Sequence, residues 1–457
     1  MELQVQNLDR ESLEARSPAE LIDLVLQLVA RVQELEAQLN QPRKTSRNSS
    51  KPPSQEIKGK SEASEGKKKG PPFGHPGTSR STPEEADVVI FEKVEECPHC
   101  GEEIDSDSES YSSHWIYELP PLRVWRVEIR RQRTTCPHCQ RTVVAANPPG
   151  VRDRQVFGPQ LELFISLLHH RYHVPQERIQ EFLREVLGEE VSDGAIENIL
   201  ARVSQQLEGE YDRLGDEIPE QEVVGADETG WRVAGDNWWL WIFQNAEVSY
   251  YTIDEHRSSA VVKGVLGEEF GGTLVSDFYS AYGPVVAERK QKCLAHLLRD
   301  IEYGVEAEVG KEDFSARLKE LFQEAIGLGK RREEWGEAEY QQAVQGLEER
   351  LDAMLRGEVQ TEWNRKLQKR LLKHRQELLV FLYDPEVPAD NNGAERGIRQ
   401  LVIHRKISNG SRSEGGAKRI VILASVIETV RKGGGDLVGG LQRLLGFAEG
   451  WALARAP

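Results

Sequence analysis

The sequence predicts a multidomain α+β chain: an N-terminal coiled coil and disordered basic linker, a zinc-ribbon-like domain, a helical, helix-turn-helix-like unit, and an α/β catalytic domain with a helical insertion. Three observations carry this prediction. A leucine and valine seam near the N-terminus gives way to a run almost without large apolar residues, and two Cys-Pro-His-Cys knuckles stand at 97–100 and 136–139. Three acids, Asp227, Asp277 and Glu395, each occupy a setting unlike that of a surface charge. At 457 residues the chain exceeds one ordinary core, so several domains are expected.

Residues 1–41 are read as a helix. Leu21, Val25, Leu28, Val32, Leu35 and Leu39 alternate steps of four and three, the spacing of a short coiled coil. Three heptads are marginal alone, so the seam serves either dimerisation or packing on the same chain. Pro42 stops the helix. From 42 to 85 the chain is rich in Ser, Pro, Gly and Lys and cannot bury a core, which predicts a disordered basic linker.

Residues 86–150 hold Cys97, Cys100, Cys136 and Cys139, four of the chain's five cysteines. Two CxxC knuckles suit a tetrahedral Zn²⁺ site. The 35 residues between the knuckles predict an extended hairpin, for which SSHWIYELPPLRVWRVEIRRQRTTC supplies strand-like material. Disulfides are the weaker reading, because no signal peptide opens the chain and a cytosol keeps thiols reduced. His99 and His138 lie inside the turns and are read as neighbours of the metal or as solvated. Arg123, Arg126, Arg130, Arg131 and Arg133 form a basic stripe beside this site, a candidate for phosphate contact. Residues 151–215 read as short helices broken at Gly188 and at Ser192-Asp193-Gly194, with Ser192 as an N-cap. This pattern suits a DNA-reading helix-turn-helix and plain helical packing equally.

From 216 to 305 the pattern changes to strands. Segments 222–227, 238–244, 248–253 and 273–277 read as strands, 258–266 as a crossover helix, and 292–298 (KCLAHLL) as a fifth strand running into a helix. Trp238, Trp239 and Trp241 are assigned to sheet packing ahead of base stacking. Asp227 and Asp277 each close an apolar, β-branched stretch, and Glu395 lies in ADNNGAERGIR, a helix start. Strand end, strand end and helix is how an RNase H-like sheet gathers three acids. In a chain with 76 Asp and Glu a single acid is ordinarily a solvated charge, so the argument rests on the ordered series. Such a pocket suits two hard divalent cations acting on a phosphodiester. Residues 306–383 are helical throughout and are read as an insertion, with a separate helical domain as the alternative. Residues 384–457 complete the core and add C-terminal helices. The longest apolar runs, such as 420–427, are far short of a membrane span, which predicts a cytoplasmic protein without membrane contact.

Taken together, TSRNSSKPPS, both CPHC knuckles, ADETGWRV, VSDFYSAYG, KCLAHLLRD, DNNGAERGIR and RKISNGSRSEGGAKRIVILASVIETVRKGG resemble the successive motifs of insertion-sequence-66 family transposases, from about residue 20 to 445. The resemblance implies a DDE transposase with an RNase H-like core, in which Asp227, Asp277 and Glu395 hold Mg²⁺ or Mn²⁺. It likewise implies Zn²⁺ on Cys97, Cys100, Cys136 and Cys139. The implied partners are double-stranded DNA, as terminal inverted repeats and as target, a second copy of the chain, and accessory proteins of the element. The net charge of −17 is unusual for a DNA binder, so contact is expected at the basic segments. Candidates after the glutamate are Arg396, Arg399, Arg405 and Lys406; Arg396 and Arg399 would clamp phosphate beside the metals, or Arg399 would pair with Glu395. His296 is read as packed or metal-adjacent, Glu228 as a strand-end acid and Asp254 as a surface acid. The other classes are a catalytically silent, transposase-derived zinc DNA-binding regulator and a structure-specific nuclease without strand transfer. The chain stops soon after Leu445, short of the extension some members carry.

Overall fold

The computed structural model describes residues 17–39, 83–104, 112–148, 150–308 and 313–447, with 42, 44, 45 and 47–49. Helix α1 (Pro18–Leu39) leaves Val25 and Val32 of the expected seam exposed and buries Leu24. Most of the expected linker lies outside the described residues. Within it, however, Asn48 is buried and donates from Nδ2 to Glu306 at 2.6 Å, so this part of the segment docks on the helical region.

Around the knuckles the structure departs from the expected long hairpin. The short antiparallel strands β1 (Arg133–Thr135) and β2 (Thr142–Val144) bracket the second knuckle, and only an isolated bridge, Glu96 to Glu103, brackets the first. Residues 112–132 carry no strand, and most of their apolar side chains, Ile116, Tyr117 and Leu119 among them, stay exposed. A strand needs a continuous ladder of backbone partners, and the described residues place this run in none; Ala145 N donates to Gln132 O at 2.9 Å where the run joins β1.

Helices α2 (Pro159–His170), α3 (Gln176–Leu187) and α4 (Asp193–Glu217) follow. The Ser192 hydroxyl accepts from Ala195 N at the start of α4, as its sequence context predicts. These helices do not stand apart. Ile179, Leu183, Ile199, Val203 and Leu214 belong to the same buried cluster as the sheet.

The centre is a five-stranded mixed sheet in the order β5-β4-β3-β6-β7. Strands β3 (Val223–Val233), β4 (Asp236–Gln244) and β5 (Ser249–Asp254) form an antiparallel meander. Helix α5 (Ser259–Leu266) crosses over to β6 (Glu269–Ser276), which runs parallel to β3, and β7 (Val286–Lys292) runs parallel to β6. The fifth strand therefore precedes the expected one: KCLAHLL supplies its last residue and the start of helix α6 (Leu294–Glu308). VAERKQK escapes the apolar-pattern rule because β7 is an edge, where charged residues are tolerated and block further pairing.

Helices α7 (Phe314–Lys330), α8 (Glu337–Arg356) and α9 (Glu362–Lys373) bury Leu318, Phe322, Leu351 and Leu371 in a second cluster, which also takes in Val275 of β6 and Leu294, Leu297 and Ile301. Helix α10 (Asn392–Ser408) then returns across β3 and β4. Its approach is close: a Cβ on Gly397 would lie 2.4 Å from Ile242 Cδ1. Helix α11 (Glu414–Lys432) covers the β5 edge, its Ser425 and Thr429 hydroxyls accepting from Tyr251 N at 2.9 Å and Ser249 N at 3.0 Å. Helix α12 (Leu437–Leu444) packs on α11.

Candidate active site

The site begins where a pairing stops. The parallel ladder between β3 and β6 ends at Gly225 opposite Val275. Side chains alternate faces along a strand, so Asp227 and Asp277, each two residues further on, share the face of that last pair. The sequence reading ended the first strand at Asp227; instead β3 continues to Val233 because β4 pairs with it throughout. What ends at Asp227 is the parallel neighbour. Asp277 follows β6 directly, and its Oδ1 accepts from Tyr279 N at 2.8 Å, an Asx turn that breaks the strand.

Glu395 arrives from the first turn of α10, whose start is tied down by Asn391. Buried Asn391 donates from Nδ2 to Ala226 O at 2.7 Å, next to Asp227, and its backbone N donates to Cys293 Sγ at 3.1 Å. Burial holds the Asp227 carboxyl well above its usual range, with the charges of Glu228, Asp277 and Glu395 adding to the effect. Four acids therefore act on one another here.

Two residues escaped the sequence reading. Lys292, with 1% of its side chain exposed, donates to Ser276 Oγ at 3.0 Å and Asp277 O at 2.9 Å and stands 3.8 Å from Glu377. It pins the strand end that carries Asp277, and burial lowers its ammonium pKa. Asn391 is the other; its buried, short polar side chain beside a strand carbonyl is visible only in three dimensions.

His296 lies between Cys293 and Glu395, its Nδ1 3.4 Å from Cys293 Sγ and 3.4 Å from Glu395 Oε1. Among the described residues, Cys293, His296 and Glu395 are the group whose ligand atoms all come within 4.8 Å of one another. Asp227, Asp277 and Glu395 do not close to that distance.

Glu228 is not a strand-end acid. It sits in mid-strand on the opposite face from Asp227, with 2% of its side chain exposed, bound by Arg257 at 2.6 Å and by the Tyr282 hydroxyl. Burial raises its pKa against both partners. Arg257 in turn stacks over Trp239 and Tyr279 at 4.5 and 3.8 Å. Trp241 is fully buried, in keeping with sheet packing, whereas Asp254 is half-exposed beside His256.

The basic candidates divide. Arg405 turns inward, donating to Thr229 Oγ1 at 3.2 Å and to Gly230 O, so it holds α10 on β3 and is not presented to phosphate. Arg396 lines a cleft of about 930 Å³ whose walls include none of the three acids. Neighbouring residues on a helix point about 100° apart, so Arg396 leaves α10 on a different side from Glu395. Arg399 and Lys406 are exposed, and Glu395 is engaged by His296. Between the knuckles, Arg126 pairs with Glu189 at 3.1 Å, Arg130 with Glu128 at 2.9 Å and Arg131 with Asp153 at 3.0 Å, while Arg123 stands over Trp125 and Arg133 opens β1.

The two knuckles are built alike. Gly101 N donates to Cys97 O and Gln140 N to Cys136 O, each at 2.9 Å, and backbone N–H groups within each turn hold the Cys97 and Cys136 thiols below their usual pKa. Each turn gathers its own two cysteines. The four do not meet in one group within 4.8 Å.

The site is thus a mixed sheet with acids at the end of its parallel pairing, crossed by an acid-bearing helix. The family model described as "Transposase IS66 family" matches residues 154–419, and the chain belongs to that family. Membership makes it a DNA-processing protein with a divalent-metal requirement. It is similar to two proteins of Sinorhizobium fredii (strain NBRC 101917 / NGR234), both described as uncharacterized. With y4hP it shares 24% identity over 388 residues, 76% of this chain and 69% of that protein. With y4qI it shares 26% over 308 residues, 59% of this chain and 56% of that protein. No helix among the described residues is long and apolar enough to cross a membrane.

Proposed function

We propose that this chain is a DDE transposase with an RNase H-like core, which binds the terminal inverted repeats of its element, cuts at the ends and joins the freed 3′-hydroxyls to target DNA. The observation that carries the reading is the convergence of Asp227 and Asp277 on one face, where the β3–β6 ladder stops, with Glu395 delivered from α10. The strand order, with β4 antiparallel to the other members of the central set, agrees with it. The residues fit Mg²⁺ or Mn²⁺: the donors are all oxygen, Asp227 carries a charge its surroundings oppose, and Glu395 Oε1 is buried without a hydrogen-bond partner. Asp227, Asp277 and Glu395 would hold the cations, whose chemistry there would be to activate the attacking oxygen and stabilise the leaving one. The chain's part is to hold the three carboxylates in place: Lys292 fixes the β6 end, Asn391 joins α10 to β3, and Gly397 allows α10 its close approach.

Cys97, Cys100, Cys136 and Cys139 would hold one Zn²⁺, with the cation supplying the force that draws two preformed knuckles together. DNA would be met by Arg123, Arg126, Arg130, Arg131 and Arg133 and by the exposed Arg399 and Lys406. A homo-oligomer and accessory proteins complete the proposal. The test is amide substitution. Asp227→Asn, Asp277→Asn and Glu395→Gln should each abolish cleavage and joining of element-end DNA and leave end binding nearly unchanged, with double variants no worse than single ones. Glu395→Gln retaining substantial activity would sink the DDE reading; cleavage without joining by the unaltered chain would favour a nuclease, and binding without cleavage a silent regulator.

A further inference from the structure

The Cys293, His296 and Glu395 cluster has a donor chemistry that the three-acid pocket lacks. Cys293 immediately precedes α6 and His296 lies in its first turn, so the three-residue step places both on one side, facing the first turn of α10. Two of their three separations match those of ligands around one cation, and the third, sulfur to carboxylate oxygen, lies within 4.8 Å. Zinc bonds of about 2.3 Å to sulfur and about 2.0 Å to nitrogen or oxygen, at tetrahedral angles, place sulfur roughly 3.5 Å from nitrogen and nitrogen roughly 3.3 Å from oxygen. The structure has 3.4 Å for Cys293 Sγ to His296 Nδ1 and 3.4 Å for His296 Nδ1 to Glu395 Oε1. Glu395 Oε1 is also buried without a hydrogen-bond partner, and Asn391 N donates to Cys293 Sγ at 3.1 Å from the start of α10; burial outweighs that bond and pushes the thiol up to about 11, so a bound cation would have to displace its proton.

We propose that Cys293, His296 and Glu395 form a cation site for a borderline divalent metal of the Zn²⁺ class, and that a cation held there withdraws Glu395 from Asp227 and Asp277. Thiolate and imidazole donors select against Mg²⁺, which keeps to oxygen. Three protein ligands leave the fourth position to water. The second half of the proposal rests on the transposase reading of Glu395; the first does not.

The test uses the full chain and two variants, Cys293→Ser and His296→Gln, each checked for native secondary structure by circular dichroism. After loading with Zn²⁺ and removal of free metal, elemental analysis should find one zinc equivalent fewer in each variant than in the unaltered chain. A Cys136→Ser chain should also lose zinc but retain the part lost by Cys293→Ser, which separates this site from the knuckles. Equal zinc in the unaltered chain and both variants would overturn the site and leave only the His296–Cys293 hydrogen bond packed beside Glu395. In the second arm Zn²⁺ is titrated into Mg²⁺-supported cleavage of element-end DNA, each chain scored against its own zinc-free rate. The midpoint of inhibition should rise about tenfold or more in Cys293→Ser. Equal midpoints would overturn the withdrawal of Glu395, whereas an unaltered chain that never cleaves under Mg²⁺ or Mn²⁺ would count against the transposase reading and leave the zinc count to decide the site.

Discussion

A lysine almost wholly removed from water is costly unless its protons are used, and Lys292 spends them on Ser276 and on the carbonyl of Asp277. Lys292→Met should therefore act at the strand end that carries the acid. We expect a loss of roughly 1.5–3 kcal/mol in stability, because hydrogen bonds to a charged group disappear. We also expect a higher Mg²⁺ concentration for half-maximal cleavage, since Asp277 is no longer held. An unchanged Mg²⁺ dependence in a folded Lys292→Met chain would reduce the lysine to a purely structural part. Glu228 teaches the opposite lesson. Its buried pairing with Arg257 and Tyr282 makes Glu228→Gln damaging by breaking a buried ion pair, whatever its part in catalysis, so half-exposed Asp254 is the sound control for the amide series.

At the scale of elements, α10 decides the geometry. Gly397 lets the helix lie against β4, Arg405 clasps its far half to β3, and Asn391 secures its start. Gly397→Ala should cost about 1–3 kcal/mol by overpacking against Ile242 and Gln244. It should also slow cleavage by shifting Glu395, with end binding retained; a Gly397→Ala chain of unchanged stability would mean that the helix does not need its close contact. The elements legible in the sequence were those with strong patterns: 238–244 and 273–277 as strands, 258–266 as a helix, Ser192 as a cap. β7 was missed because an edge strand need not be apolar, and the expected hairpin at 112–132 did not form because an apolar pattern does not by itself supply a partner.

Across the molecule, the acids stand at the seam of two cores: Val275, two residues before Asp277, belongs to the helical cluster, while Trp231 and Leu401 belong to the sheet's own. On the sheet's side His169, His170 and His404 pack together beside His173, Trp231, Arg419 and Glu197, linking α2 to α10. Burial lowers the pKa of His169 and His170 and pushes His404 down to about 3. A histidine with a depressed folded pKa contributes stability that is full above its unfolded value near 6.5 and is lost as pH falls toward the folded one. Urea unfolding of the metal-free chain should therefore show stability dropping below about pH 6.5, by up to about 1.4 kcal/mol per pH unit for each such histidine. His404→Phe, which keeps a flat ring between Trp231 and His170, should make that slope shallower; an identical slope would remove His404 from the account.

The sequence alone determined which acids to watch, because Asp227 and Asp277 sit in apolar strand contexts and Glu395 opens a helix, and such local patterns are written in neighbouring residues. It likewise determined the knuckle turns, whose geometry is set within six residues. Tertiary structure decided everything that depends on partners distant in the chain: that β3 runs past Asp227 because β4 continues beside it, that Glu228 faces away into a buried ion pair, and that Arg405 is spent on β3. It also brought Cys293 and His296 to Glu395 across roughly a hundred residues of sequence. Such contacts are fixed by packing, and no periodicity in the chain encodes them.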